Sequence, residues 1–204
     1  MKKVISTKKI GIALLSIAVL SLIVAIPVFS DNYTYNFEKG SEGWEASGMW
    51  HIVGEKSQFR NANSGVSSYW YGNDTTGNYD SGTANSGRLI SPPINLKGAE
   101  KATMTVWYWY QTESAGKLYD QRFVQAREIG KTEWVELEQL NGDPMQVWTQ
   151  KIFDLSQYKG KVIEVSFYFD MSDELANDYR GWYIDDVEVQ IENKYIFLLI
   201  LILL

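Results

Sequence analysis

Apolar and polar residues alternate along most of the chain from residue 33 onward, and this period predicts β-strands. The clearest case is the segment 162–169, in which Ile163, Val165, Phe167 and Phe169 fall on one face. Alternation of this kind marks a strand that buries one side. Comparable segments lie at 33–37, 49–53, 67–71, 89–96, 121–128, 134–140 and 147–155. Many short strands separated by turn residues predict an all-β fold, an antiparallel two-sheet jelly-roll sandwich.

Residues 102–112 differ because both faces of this predicted strand are apolar. Trp107 and Trp109 lie on one face, and Val106 and Tyr108 lie on the other. A strand that is apolar on both sides is typical of the middle of a sheet. We therefore expect a central strand whose two tryptophans pack between the sheets.

The last predicted strand, 181–191, contains two adjacent carboxylates. Strict alternation puts Asp185 on the face of Val187 and Val189, and Asp186 on the opposite face. Either way, one aspartate points in the same direction as apolar side chains. Since a buried carboxylate is costly unless it is paired, hydrogen-bonded or bound to a metal, the pair predicts an ion site. The alternative is a strand end at which both carboxylates reach water.

A long polar segment, 72–87, follows the predicted strand 67–71. It is rich in Gly, Asn, Asp, Ser and Thr and has no helical pattern. Long loops of this kind are commonly functional. Trp70, Tyr71 and Tyr79 lie at or beside it, and we expect their rings to offer a stacking surface for a sugar.

The first thirty residues have the pattern of an export signal. Residues 1–9 carry four lysines, and residues 10–29 form an uncharged apolar run. This order is that of the basic and hydrophobic parts of a signal peptide. The run is also about 20 residues long, enough for an uncleaved anchor helix across a bilayer. We expect residues 1–30 to be a signal peptide or signal anchor that exports the rest of the chain, and cleavage and membrane anchoring both stay open.

Residues 194–204 form a shorter hydrophobic tail. Its apolar run, 195–204, would reach only about 15 Å as a helix, half of a hydrocarbon core. A full C-terminal membrane span is therefore not expected, and an interfacial tail and a truncated anchor stay as alternatives. The folded domain is predicted to occupy residues 31–193, outside the cell or at its surface.

Composition narrows the chemistry of this domain. The chain has no Cys and a single His, His51, which excludes disulfides and thiolate sites and argues against a zinc centre or a histidine-dependent triad. Beyond residue 30, 15 Lys and Arg stand against 25 Asp and Glu. Because phosphate binding needs a positive field, we expect no nucleic-acid partner.

Short motifs in a fixed order resemble a known domain family. They are Asn36-Phe37-Glu38, Gly43-Trp44 and the segments 87–96, 154–161 and 181–187. Together they are similar to MAM-like jelly rolls of the choice-of-anchor J type, and to the accessory domain of immune-inhibitor-A-type metallopeptidases. The resemblance covers residues 33–191. Two departures matter: the chain has no His-Glu-x-x-His motif of a peptidase unit, and it lacks the cysteines of MAM domains proper.

The resemblance implies a secreted or surface domain for adhesion or substrate recognition, with a structural calcium ion. The ligands that it implies are Glu38, Asp185 and Asp186, with Asp80 and Asp173 as further carried-over positions. The residue chemistry agrees, because first and last strands commonly pair in a jelly roll and oxygen-only ligands suit calcium. The alternative is that Glu38, Asp80 and Asp173 are solvated surface groups.

We therefore expect an exported, non-catalytic recognition module that holds calcium and binds a glycan or a protein outside the cell. Two alternatives stay open. One is a jelly-roll glycoside hydrolase with two carboxylates across a cleft, for which Glu136 and Glu138 share one predicted strand face. The other is a structural envelope component or an accessory subunit of a secreted metallopeptidase.

Overall fold

The computed structural model describes residues 19–29 and 32–203, with side chains over 32–193. Its strands are β1 Val19–Phe29, β2 Tyr33–Tyr35, β3 Glu45–Ala46, β4 Trp50–Val53, β5 Ser68–Tyr71, β6 Ser86–Ile90, β7 Ile94–Asn95, β8 Ala99–Gln111, β9 Gln121–Glu128, β10 Val135–Gln139, β11 Thr149–Asp154, β12 Val162–Asp170 and β13 Gly181–Leu203. A 3-10 turn, Ser156–Tyr158, follows β11. Among the residues described, no helix is long and apolar enough to cross a bilayer.

Two sheets contain these strands. The seven-stranded sheet has the order β11-β8-β13-β5-β4, and β1 and β2 also pair with β13. The six-stranded sheet has the order β10-β9-β12-β6-β3, and β7 also pairs with β12. Every strand pair whose register is described is antiparallel. The all-β, two-sheet antiparallel sandwich predicted from the alternation is therefore confirmed.

The chain ends differ from the helical leader that the sequence predicted. Contacts group residues 28–194 into one compact unit and the described residues of 1–27 and 195–204 into another. Val19–Phe29 forms β1, and β13 continues to Leu203, so both apolar runs are extended there. β-Branched residues, which favour strands, are frequent in β1, and Pro27 cannot donate a helical hydrogen bond. Residues 1–18, with the rest of the predicted leader, lie outside the described residues, and export stays a prediction.

Aromatic side chains from both sheets build the core. The ring of Trp182 on β13 lies 5.3 Å from that of Trp50 in its own sheet. It also lies 5.9 Å from Phe167 and 6.4 Å from Phe169 in the other sheet, measured between ring centroids. All four residues are buried, and alternate residues of β12 face the core as predicted. Trp182 therefore joins the two layers.

A β-bulge in β13 overturns the predicted faces of the two aspartates. Asp185 pairs with Trp107 of β8, and Glu188 pairs with Thr105, so three steps along β13 match two along β8. Asp186, whose φ is 44°, lies within this irregularity. An extra residue of this kind shifts every side chain beyond it to the other face of the strand.

The bulge changes which side chains of β13 share a face. Ile184 and Val187 both belong to the core between the sheets, although they are three positions apart. Tyr183 belongs to a separate cluster on the outer face, and Asp185 shares that face instead of the face of Val187. Asp185 is nevertheless 0% exposed, so one aspartate of the pair is withdrawn from water, as the pattern predicted.

The sequence predicts that the two tryptophans of β8 pack between the sheets, and this prediction is wrong. β8 is an interior strand, and Val106 and Tyr108 are buried in the core. Trp107 and Trp109 lie on the outer face and are partly exposed. Trp109 packs edge-on against Tyr183, with 5.3 Å between ring centroids. The expectation failed because alternation alone does not tell which of two apolar faces is the inner one.

The predicted hairpin is present as β9 and β10, but a register shift in β10 separates the two glutamates considered for a hydrolase. Glu136 pairs with Gln125, whereas Glu138 pairs with Val124, and neighbouring residues of β9 point to opposite faces. Glu138 accepts a hydrogen bond of 2.5 Å from Nζ of Lys151 on β11. Glu136 and Glu138 are therefore not a pair on one face, and Glu138 links the edges of the two sheets.

Replacement of Trp182 by alanine is expected to lower the free energy of unfolding by about 3–5 kcal/mol, because the cavity would border both sheets. Ile152 on β11 is 65% exposed, and its replacement by alanine should cost less than about 0.5 kcal/mol. Urea unfolding followed by circular dichroism measures both. Equal losses in the two variants would contradict the central packing role of Trp182, and Trp182→Phe provides a milder variant if the alanine protein does not fold.

Candidate ligand-binding face and carboxylate cluster

Carboxylates from both ends of the domain meet on the loop 61–67. Glu38 follows β2, and its Oε1 accepts hydrogen bonds from the N–H of Val66 at 2.9 Å and of Ser67 at 2.7 Å. Gly65 permits this close approach, because a Cβ on that residue would lie 2.5 Å from the same oxygen. Glu38 and the last strand therefore converge on one loop.

Asp185 holds the other side of this loop. Its Oδ2 accepts hydrogen bonds from the N–H of Asn63 at 2.8 Å and of Ser64 at 3.2 Å. Its Oδ1 accepts a third from the N–H of Asp186 at 2.7 Å. The pKa of Asp185 is raised to about 7, mainly by burial and also by the neighbouring charge of Asp186, while the three N–H donors act in the opposite direction.

Asp186 is bound to the same loop by its side chain. Its Oδ2 accepts a hydrogen bond from Nδ2 of Asn63, and its Oδ1 accepts one from Oγ of Ser64, both at 2.8 Å. The positive φ of Asp186 is uncommon for a residue other than glycine, and such a conformation persists where surrounding contacts hold it. We call Glu38, Asp185 and Asp186 the carboxylate cluster.

The chemistry of the carboxylate cluster fits a hard cation. Its ligands are oxygens only, and none of the described Lys, Arg or His side chains forms an ion pair with its three members. In the described arrangement the cluster is satisfied by N–H and O–H donors. Within residues 32–193, no three His, Cys, Asp or Glu side chains are grouped as a ready metal site. A bound cation would therefore replace some of these hydrogen bonds.

Asp80 and Asp173, the other two implied calcium ligands, lie in turns of their own. Oδ1 of Asp80 accepts a hydrogen bond from the N–H of Gly82, and Oδ1 of Asp173 accepts one from the N–H of Leu175, each at 2.8 Å. Such bonds to the backbone two residues ahead are typical of Asx turns. None of the described contacts of these two aspartates reaches the carboxylate cluster.

The three aromatic residues expected to form a sugar surface, Trp70, Tyr71 and Tyr79, are each 0% exposed, so that prediction is wrong. Trp70 stacks on Tyr183 at 5.5 Å and is covered by Phe59 at 5.4 Å. Tyr71 packs in the core between the sheets. The hydroxyl of Tyr79 donates a buried hydrogen bond of 2.6 Å to Asp120. All three rings therefore point into the protein, although a polar loop lies beside them.

A different aromatic surface lies on the outer side of the six-stranded sheet. Phe123 of β9 and Tyr168 of β12 are register partners, and their rings stack with 6.0 Å between centroids. The guanidinium of Arg88 on β6 lies 4.2 Å from the centroid of Tyr168. Trp134, just before β10, lies 4.8 Å from that guanidinium. We call the surface formed by Phe123, Tyr168, Arg88 and Trp134 the aromatic face.

Polar side chains lie between these rings. Nη1 of Arg88 donates hydrogen bonds to Oε1 of Gln125 and, at 2.8 Å, to Oγ of Ser166. Arg127 also lies over the ring of Trp134, at 4.4 Å from its centroid, and is paired with Glu164 at 2.8 Å. Burial lowers the pKa of Arg88, although a guanidinium stays charged in proteins. Ser166 is buried, whereas the other residues named here are partly exposed, so rings and polar groups are both within reach of a ligand.

Sequence reasoning missed the aromatic face because its members come from three strands, β6, β9 and β12, and from the segment before β10. The signal was present in the polar side of each strand. Residues 162–169 put Tyr168, Ser166 and Glu164 opposite the core, and residues 121–128 do the same with Phe123 and Gln125. An analysis that follows only the apolar face of each strand overlooks aromatic residues on its polar face, such as Phe123 and Tyr168.

A groove of about 770 Å³ lies at the edge of the other sheet. Its lining comes from residues 52–58 and Asp74, and none of the described lining residues is aromatic. Beside it, Nε2 of His51 lies 3.1 Å from Oδ2 of Asp74. This contact gives the single histidine of the chain a structural partner. The aromatic face is the stronger candidate for ligand binding because it combines rings with polar groups.

The chain is similar to part of a bacterial peptidase. It is 32% identical over 166 residues to Bacillopeptidase F of Bacillus subtilis (strain 168), and the match covers 79% of this chain. The same match covers only 11% of that protein, so the chain spans about a tenth of its length. No family model matches the chain, and the resemblance to MAM-like domains of the choice-of-anchor J type stays a prediction.

One solved structure of a binding module shares the fold, and a second is similar at a lower score. TmCBM61 in complex with β-1,4-galactotriose has a TM-score of 0.51 and 17% identity, over 77% of this chain and 94% of that one. The K1 cleaved adhesin domain of Lys-gingipain from Porphyromonas gingivalis W83 has a TM-score of 0.46 and 17% identity, over 85% of this chain and 98% of that one. At 17% identity the likeness to TmCBM61 concerns the fold alone.

Proposed function

We propose that the chain is an exported, non-catalytic recognition module that binds glycans on the aromatic face. The observation that carries this proposal is the grouping of Phe123, Tyr168 and Trp134 with polar side chains on one sheet surface. Sugar rings present apolar C–H faces that pack on aromatic rings, and hydroxyls that exchange hydrogen bonds with polar groups. The fold shared with a galactotriose-bound module supports a glycan as the class of ligand.

Replacement of Tyr168 by alanine is expected to weaken glycan binding about 10- to 100-fold, because burial of one ring contributes roughly 1.5–3 kcal/mol. Isothermal titration calorimetry with soluble galactan and xylan oligosaccharides measures the change. Trp107→Ala is the matched control, since this ring is also partly exposed but lies on the outer face of the other sheet.

Two outcomes of that titration would contradict the proposal. One is that Trp107→Ala abolishes binding while Tyr168→Ala leaves it unchanged. This result would place the binding site on the seven-stranded sheet. The other is that the wild type binds no glycan of a broad array. In that case retention on immobilised protein would favour protein recognition.

We also propose that the carboxylate cluster binds calcium as a structural ion. The adjacent carboxylates of Asp185 and Asp186, with Glu38 bound to the same loop and no cationic partner for any of them among the described residues, support this proposal. Glu38, Asp185 and Asp186 would hold the ion, which would offset the repulsion between Asp185 and Asp186 and fix the loop 61–67 to the last strand. The ion has a structural role here and is not required to touch the glycan.

Calcium is expected to raise the melting temperature of the full chain, and EDTA to lower it. At a free concentration about 100 times Kd, binding to the folded state adds about 2.7 kcal/mol, a shift of several degrees. Glu38→Gln and Asp186→Asn should remove the shift, whereas Asp80→Asn and Asp173→Asn should keep it. An equal melting temperature in calcium and EDTA would overturn the calcium proposal and leave the glycan proposal intact.

A second candidate function is that of an accessory region beside a peptidase unit. The match to a segment of Bacillopeptidase F is the observation that favours it. In this role the aromatic face would bring a peptidase to a glycan-bearing surface. Glycan binding without any hydrolysis of casein by the chain itself fits this role, whereas casein hydrolysis would contradict a non-catalytic module.

Export through residues 1–30 belongs to the same proposal. The order of basic and apolar residues supports it. Recovery of the protein outside the cell, with its intact mass determined, distinguishes a cleaved leader from an anchor. Recovery in the cytoplasm alone would contradict export.

A further inference from the structure

We propose that the aromatic face selects glycans that carry a carboxylate, such as those built from uronic acids, and that Arg88 binds this carboxylate. The inference rests on the proposed glycan function and names the class of glycan.

Arg88 carries a charge that the protein itself leaves unneutralised. Its guanidinium forms no ion pair with any described carboxylate, although Glu136 and Asp170 lie on the same side of the sheet. Arg127, its neighbour on the aromatic face, shows the contrast, because its Nε lies 2.8 Å from Glu164. Two arginines therefore flank Trp134, and only one of them has an anionic partner among the described residues.

The hydrogen bonds of Arg88 leave one side of its guanidinium open. Nη1 donates to Gln125 and Ser166, and these bonds hold the side chain flat across the sheet. No acceptor for Nε or Nη2 is present among the described contacts of residues 32–193. These two nitrogens form the side-on fork that matches the two oxygens of a carboxylate.

The surroundings of Arg88 strengthen its attraction for an anion. The ring of Tyr168 lies 4.2 Å from the guanidinium and the ring of Trp134 lies 4.8 Å from it, so the two rings keep water from part of its surface. A charge interaction in such an environment is stronger than in bulk water. A neutral sugar packed on the same rings would cover the guanidinium without neutralising it, which is unfavourable.

Because the chain as a whole is negatively charged, binding of an acidic glycan depends on the positive charge of Arg88. The net charge is −6, so long-range electrostatics oppose acidic glycans over most of the surface. Binding of a uronic acid therefore depends on the short-range fork of Arg88. The rings of Tyr168 and Trp134 on either side would hold the pyranose that bears the carboxylate.

The test compares two ligands that differ in charge but not in length. Isothermal titration calorimetry on the full chain uses tetragalacturonate and its fully methyl-esterified form. A charge-assisted bond contributes roughly 1.5–3 kcal/mol, so the wild type should bind the acid about 10- to 100-fold more tightly than the ester. Arg88→Gln should remove this preference, so that the acid and the ester bind with similar affinity.

Two control variants separate the fork from net charge and from folding. Arg88→Lys keeps the charge but not the fork, and it should recover only part of the preference. Lys97→Gln removes an exposed charge that lies outside the aromatic face, and it should keep the preference in full. Melting temperatures of all variants show whether each protein is folded, and Arg88→Lys stands in for Arg88→Gln if the latter unfolds.

Several outcomes overturn the inference. Equal binding of acid and ester by the wild type would mean that Arg88 only braces Trp134, while the glycan proposal would stand. Tighter binding of a sulfated galactan than of tetragalacturonate would contradict the assignment to a carboxylate. Absence of binding to either ligand and to every neutral glycan would overturn the inference together with the proposed function.

Discussion

The buried carboxylate of Asp185 fixes the organisation of this domain. A carboxylate without access to water must be satisfied by the protein, and three N–H groups from the loop 61–67 and Asp186 do so. The bulge at Asp186 turns Asp185 away from the core and toward this loop. The last strand is thereby joined to the loop 61–67, which also binds Glu38 after β2.

This constraint also makes the two outer faces unequal. The segment before and within the loop 61–67 covers part of the seven-stranded sheet: the hydroxyl of Tyr183 donates to the carbonyl of Phe59 at 2.9 Å, and Nε1 of Trp148 donates to Asn61 at 3.1 Å. Rings on that side become a second small core instead of a binding surface. On the six-stranded sheet the described rings are braced by arginines and glutamine and stay partly exposed, which leaves that side for a ligand.

The sequence predicts those features that depend on local periodicity. The strands, the hairpin of β9 and β10 and the inward residues of β12 follow from alternation, and the convergence of Glu38 with the last strand follows from the pairing of chain ends. The bulge at Asp186 could not be predicted, because one inserted residue leaves no periodic mark. The burial of Trp70 and the outward position of Trp107 depend on what covers each sheet. The aromatic face depends on the register of β6, β12 and β9, and Arg88 and Trp134 are too far apart in sequence for a local pattern to show their contact.

The central claim is that ligand binding occurs on the six-stranded sheet. Its most direct test is an NMR titration of the 15N-labelled protein with an oligosaccharide that it binds. The indole N–H signals are assigned with single Trp→Phe variants. Trp134 and Trp109 are the reporters, since one belongs to the aromatic face and the other to the opposite sheet. The account predicts that the Trp134 signal shifts in proportion to saturation while the Trp109 signal stays in place. A saturable shift of Trp109 with no change at Trp134 would contradict it.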